Sequence, residues 1–221
     1  MIRYGHTPVC DLRHVTSVEI AKEIEAVDSV AVLILPKDVG PEVMNAIGQI
    51  QKYSVAMTIY LNQDEKVTVM NGVCEVGDSD LDEPGALVAN GIVIFKKLTK
   101  KPQMSVAMNG VAVVHDDSEF VPSFLQFNGM QYKAPKFTNI RVVPESIEID
   151  AATVDYMEVG TALVCGSEMK IKEDVTSEML KAKDVTFIAG EKISCHENNA
   201  GYVKMNSIAG DTIDVIVNFD S

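Results

Sequence analysis

Residues 104–115 read MSVAMNGVAVVH, an apolar segment interrupted by one Asn-Gly pair. The pair occurs at four places, each 19 residues from the next, and nowhere else in the chain. The four asparagines are Asn71, Asn90, Asn109 and Asn128. The residue before each asparagine is apolar; in order, these residues are Met70, Ala89, Met108 and Phe127. A fixed period of this kind indicates a repeat architecture in which each repeat buries the side chains of its neighbours.

Two folds are compatible with the period. Asn-Gly between apolar residues is the strongest short-range signal for a β-hairpin, so a meander of hairpins is one interpretation. The constant spacing favours the other, a parallel β-solenoid with coils of roughly 19–20 residues, because a coil has a fixed circumference. We therefore predict a mainly β chain whose residues 61–221 form solenoid coils. The four asparagines would then form a structural, hydrogen-bonded row, because coils stack about 4.8 Å apart.

Residues 1–60 show helical signals between their apolar strands. A capping box at Thr16–Glu19 precedes apolar residues at helical spacing up to Val27. Pro41 is a typical first residue of a second helix. We predict a helix–strand–helix–strand cap that is continuous with the solenoid.

The loops that follow the first three Asn-Gly pairs alternate in charge. They are acidic, basic and acidic in turn, and Asp78, Lys97 and Asp116 occupy the same position of the 19-residue register. Stacked coils would bring these opposite charges together, so we predict a charge column. The alternative is that the basic loop, Lys96–Lys101, binds an anionic partner.

Asp78, Asp80 and Asp82 resemble the beginning of a calcium-binding loop. An EF-hand needs Gly at its sixth position and Glu at its twelfth, and this chain has Glu83 and Ala89 there. The EF-hand is excluded, and a looser calcium site at the three aspartates stays open. The chain contains no nucleotide-binding, nucleophile-elbow or zinc-protease motif, so we predict no catalytic residue and no cofactor.

The overall charge limits the partners. A net charge of −13 repels nucleic acid and anionic membranes at long range. No apolar run approaches the ~18 residues of a membrane-spanning helix. The N-terminal residues lack an export signal and the four cysteines show no paired spacing, so we expect a cytoplasmic protein.

In architecture, residues 65–215 resemble the bacterial cytoplasmic β-solenoids, of which the polymer-forming bactofilins are one kind. The short Gly-rich repeat of that family is missing here, and no residue roles are transferred. We predict a non-catalytic scaffold or interaction protein that self-associates or presents a side surface to a partner. The alternative is a polysaccharide- or calcium-dependent binding protein or enzyme on a β-helix. The absence of Trp counts against that alternative, because sugars commonly stack on aromatic rings.

The C-terminal residues suggest how copies would associate. Ile213, Val215, Val217 and Phe219 alternate as one face of a strand should. The last coil of a solenoid exposes unpaired backbone groups and apolar columns unless something covers them. We therefore expect a two-fold homodimer through equivalent ends, with a monomer that has a charged edge as the alternative.

Overall fold

The computed structural model describes residues 1–134 and 139–217. Within them the chain is mainly β and forms four parallel sheets, which confirms the predicted β-rich class with parallel strands. Three consecutive segments build these sheets: an N-terminal segment (2–61), a central segment (67–134) and a C-terminal segment (140–216). Among the described residues, none of the helices combines the length and the apolar character that crossing a bilayer requires.

The N-terminal segment contains one sheet and two helices. Its elements are β1 (Ile2–Asp11), α1 (Val18–Glu23), β2 (Ile24–Pro36), α2 (Pro41–Gly48) and β3 (Gln51–Leu61), with sheet order β1-β2-β3. The predicted order of elements omitted β1. The first helix is also shorter than predicted: its N-cap is Ser17, whose hydroxyl accepts from the Ile20 N–H, and it ends before Ile24. Residues from Ile24 onward pair with strands on both sides, and this sheet pairing overrides the helical spacing.

The central segment contains the repeat. Its strands are β4 (Val67–Val76), β5 (Gly85–Phe95), β6 (Met104–His115) and β7 (Ser123–Ala134), in the order β4-β5-β6-β7. All neighbours are parallel, and Asn71, Asn90, Asn109 and Asn128 are direct partners in the register. The parallel pairing excludes the hairpin interpretation.

The C-terminal segment forms two sheets flanked by helices. One sheet has the order β14-β12-β10-β8, from Ser207–Ala209, Thr186–Ala189, Ala162–Cys165 and Ile140–Val143. The other has the order β15-β13-β11-β9, from Thr212–Ile216, Lys192–His196, Met169–Ile171 and Ile147–Ile149. The helices α3 (Ala151–Tyr156), α4 (Ser177–Lys183) and α5 (Glu197–Asn206) follow β9, β11 and β13. These three helices were not predicted from the sequence, although Asp150 and Thr176 are ordinary N-caps for the first two.

The segments pack side by side through the outer faces of their strands. Val32 and Ile34 of the N-terminal segment pack against Ala86 and Val88 of the central segment. The other half of each central strand packs against the C-terminal segment, where Ile92, Ile94, Val111 and Val113 meet Val164 and Ile188. Each segment also has its own internal core. Both faces of β5 and β6 are therefore buried, which explains their nearly continuous apolar sequence.

The strands of the central segment bend at the glycine of each Asn-Gly pair. Gly91 and Gly110 have φ angles of 124° and 131°, which side-chain-bearing residues rarely adopt. The glycines also lie directly on one another, so that a Cβ added at Gly110 would overlap the carbonyl oxygen of Gly91. Glycine is thus required here both by its backbone angle and by the stacking distance.

We predict that Gly110→Ala lowers the free energy of unfolding by at least about 2 kcal/mol, because it combines a strained φ with a backbone overlap. Urea denaturation measures the loss. Gly201→Ala is the matched control, since Gly201 lies in α5 and a Cβ there meets no atom within 4 Å. A loss at Gly110 no larger than the change at Gly201 would contradict the stacked corner.

Candidate functional site at the asparagine row and the strand edges

Hydrogen bonds between side chains connect three of the four asparagines. Asn109 donates from Nδ2 to Oδ1 of Asn90 at 2.8 Å, and Asn128 donates from Nδ2 to Oδ1 of Asn109 at 2.7 Å. Asn71 occupies the same register position on β4. In this geometry the amides bind one another along the stack, so the row acts as a structural element of the sheet.

A groove of ≈ 470 Å³ runs beside the asparagine row. Its other wall is formed by Gly166, Gly190 and Gly210 of the C-terminal segment. These glycines stack as the central ones do, because a Cβ at Gly190 would overlap the carbonyl oxygen of Gly166. Glu191 is the one ionisable residue in the described lining, and it accepts a hydrogen bond from the Ser167 hydroxyl at 2.7 Å. The lining consists mainly of glycines, amides and aliphatic side chains, and their geometry is explained by coil stacking.

The acidic loop after β4 makes contacts inside the chain. The Asp78 carboxylate accepts from the backbone N–H groups of Thr99 and Lys100 at 3.0 and 3.2 Å, and from the Thr99 hydroxyl at 2.6 Å. The Thr99 side-chain hydrogen bond is the main reason that the pKa of Asp78 lies below its ordinary value. Asp80 accepts from the Gly77 N–H at 2.8 Å. Over residues 1–134 and 139–217, no three His, Cys, Asp or Glu side chains are grouped as metal ligands, and the looser calcium site at Asp78, Asp80 and Asp82 stays a prediction.

The charged loops stack, but with different partners from those predicted. Lys96 pairs with Glu75 at 2.6 Å, and Lys66 pairs with Glu83. In the part of the chain that the structure describes, no ion pair joins Lys97 to Asp78 or Asp116, so the predicted charge column is corrected to these two pairs. The physical reason is that Leu98 is fully buried in the central core, which places the amides of Thr99 and Lys100 next to Asp78.

Three cysteines are buried among apolar residues. Burial raises the pKa of the Cys10 thiol to about 11 and also raises the pKa values of Cys165 and Cys195. Such thiols stay protonated near neutral pH and are weak nucleophiles. His196 follows Cys195, but its Nδ1 accepts from the Asn198 N–H at the beginning of α5. His196 is thus the N-cap of α5, and Cys195 packs in the core of the C-terminal segment.

The last strands of the N-terminal and central segments each place polar residues in columns that hold core residues in the preceding strand. In β7, Gln131 and Lys133 occupy the columns that hold the core residues Ala112 and Val114 in β6, and a bulge interrupts the pairing at Ala107. In β3, Lys52 pairs with the core residue Val27, and its ammonium group donates to the carbonyl oxygens of Ile47 and Ile50 at the end of α2. Inward-facing charges and bulges are known devices that prevent further strand addition.

The last strand of the C-terminal segment lacks these devices. Ile213 and Val215 of β15 pair with Ile193 and Cys195, which are core residues. Ile213 still packs partly against that core, whereas Val215 and Val217 are 39% and 63% exposed. Phe219, the fourth residue of the predicted self-association face, lies outside the described residues. The apolar columns of this segment thus continue to its final strand.

Comparison with known proteins identifies no relative: no protein-family model matches the chain, and neither does a curated protein or a solved structure. Function is therefore inferred from the contacts within the chain.

We predict that Asn109→Leu costs about 1–3 kcal/mol of unfolding free energy, because the amides on both sides lose a partner. Asn128→Leu removes one side-chain hydrogen bond at an exposed end and should cost less. Chemical denaturation of the two variants tests the difference. Equal losses would show that the position within the row has no effect.

We expect Lys96→Glu to destabilise the protein more than Lys97→Glu, because only the first substitution replaces an ion pair with two adjacent acids. Thermal melts at low and high salt check this, since screening should reduce the difference. The matched Lys97 variant controls for net charge. A larger effect at Lys97 would support the original charge column instead.

Proposed function

We propose that this protein is a non-catalytic scaffold of the β-solenoid type that associates with copies of itself through the end of its C-terminal segment. The observation that carries the proposal is that the core columns reach β15 as the apolar residues Ile213 and Val215, whereas the other two final strands each place a lysine, Lys52 in β3 and Lys133 in β7, in a core column.

The order of the strands supports the solenoid interpretation. In every sheet the neighbours follow the order in which the strands occur along the chain, and every pairing is parallel. A chain that winds in coils produces this arrangement, because each coil lies on the preceding one. The in-register Asn-Gly positions give the central coils a common circumference.

The contacts of the carboxylates and the environment of the thiols, the groups that could take part in catalysis, support a non-catalytic role. Asp78 and Asp80 bind backbone N–H groups, and the buried thiols have raised pKa values. The alternative of a polysaccharide- or calcium-dependent protein had the Asp78–Glu83 loop as its main sequence support. Because that loop connects adjacent coils, its contacts favour the scaffold.

The proposed partner is a second copy of the chain. The exclusion of nucleic acid remains an expectation that rests on the net charge of −13. The expected cytoplasmic location rests partly on the four cysteines, all of which are free thiols.

We expect the full chain to have the molar mass of an oligomer in solution and the variant Val215→Lys, Val217→Lys to be a monomer, because two charges would have to be buried at the interface. Light scattering after size-exclusion chromatography measures both. Val121→Lys is the control, since Val121 is 56% exposed but lies outside β15. A full-length chain that stays monomeric at high micromolar concentration would refute self-association.

A further inference from the structure

The edge of β15 has two chemically distinct faces. Ile213 and Val215 lie on the inner face, and Thr212, Asp214 and Ile216 lie on the outer face; Val217 directly follows the strand and would continue the inner row if the strand were extended. Asp214 is already paired with Lys192 at 2.8 Å. Among the described residues, β15 is the outermost strand of its sheet and no strand pairs with its free side, which is the side that a further strand would join.

A second copy that continued the stack in the same direction would bring like charges together. The opposite edge of the same sheet is β9, and the column that ends in Asp214 begins there with Glu148. Parallel stacking would therefore place Asp214 directly against Glu148 of the second copy. Like charges at opposed positions destabilise a sheet, so head-to-tail growth is disfavoured.

We propose that β15 pairs antiparallel with β15 of a second copy, about a two-fold axis through Val215; this deepens the self-association proposed above and rests on it. Inner-face residues of one copy must pair with inner-face residues of the other copy. In an antiparallel pair this happens only when the two-fold axis passes through a residue and not between two residues. An axis at Asp214 would oppose two aspartates, and an axis at Ile213 would bring Asp211 to the inner row. An axis at Val215 opposes Ile213 to Val217 and Asp214 to Ile216.

This pairing joins two four-stranded sheets into one continuous sheet. Ile213 and Val215 of each copy, extended by Val217, would become a shared extension of the core. Each copy carries a net charge of −13, so long-range repulsion opposes the encounter and salt should tighten the dimer.

The proposed register can be tested by changing the charge at residue 216. In the dimer, residue 216 of each copy faces Asp214 of the other copy, so the same contact occurs at two places. Ile216→Lys should preserve or tighten the dimer, whereas Ile216→Asp should weaken it by at least about tenfold at low salt. Analytical ultracentrifugation gives the dissociation constants. Thr212→Lys and Thr212→Asp are the matched controls on the same face, and their dissociation constants should agree within a few fold.

A distance measurement gives a readout that does not depend on the stability of the variants. Thr212→Cys in a Cys74→Ser background carries a spin label, since Cys10, Cys165 and Cys195 are buried. An axis at Val215 separates the two copies of residue 212 by six strand positions, or about 20 Å along the sheet. An axis at Asp214 would reduce this separation to about 14 Å.

A 20 Å distance together with unequal effects of Lys and Asp at position 216 supports the proposal. A dimer that is abolished by Val215→Lys, Val217→Lys but shows equal effects of the two Ile216 variants would overturn the register and leave self-association standing. A chain that is monomeric under all conditions would overturn both proposals. A molar mass that keeps rising with protein concentration, without stopping at the dimer, would indicate head-to-tail stacking and would overturn the two-fold pairing.

Discussion

The parallel, in-register contact between successive Asn-Gly corners is the constraint on which the central segment depends. Parallel strands lie about 4.8 Å apart, and at that spacing a glycine carbonyl oxygen leaves no room for a Cβ on the next strand. The amide of the preceding asparagine has the length to reach its neighbour at the same spacing. One dipeptide therefore sets the bend, the register and the row of hydrogen bonds.

The packing of the three segments follows from that bend. Because each central strand bends at its glycine, its two halves present outer faces in different directions. One half packs against the N-terminal segment and the other half packs against the C-terminal segment. The charged loops lie on the remaining side, where backbone hydrogen bonds to Asp78 and the Lys96–Glu75 pair connect neighbouring strands.

The repeat could be predicted from the sequence because identical residues recur where geometry permits few others. Parallel pairing at Asn71, Asn90, Asn109 and Asn128 is an example. The helices α3 to α5 were missed because a buried strand precedes each of them and no long apolar period marks them. The extent of α1 was overestimated for the opposite reason, since pairing in the sheet overrides local spacing after Glu23.

The partners of Lys96 and Asp78 depend on the loop conformation around Leu98, which the 19-residue register does not encode. Gln131 and Lys133 could have been recognised as polar residues in apolar columns, and they are the sequence signal for a protected edge.

The side-by-side packing also restricts how this protein can change its length. A free-standing stack gains or loses a coil at little cost, because each coil contacts only its two neighbours. Here a coil inserted into the central segment would shift every later strand by about 4.8 Å relative to two flanking stacks whose repeats have different lengths. The three segments thus restrict one another's length. Duplication or deletion of a single 19-residue unit, the ordinary route by which repeat proteins diverge, would be opposed unless the neighbouring stacks changed with it.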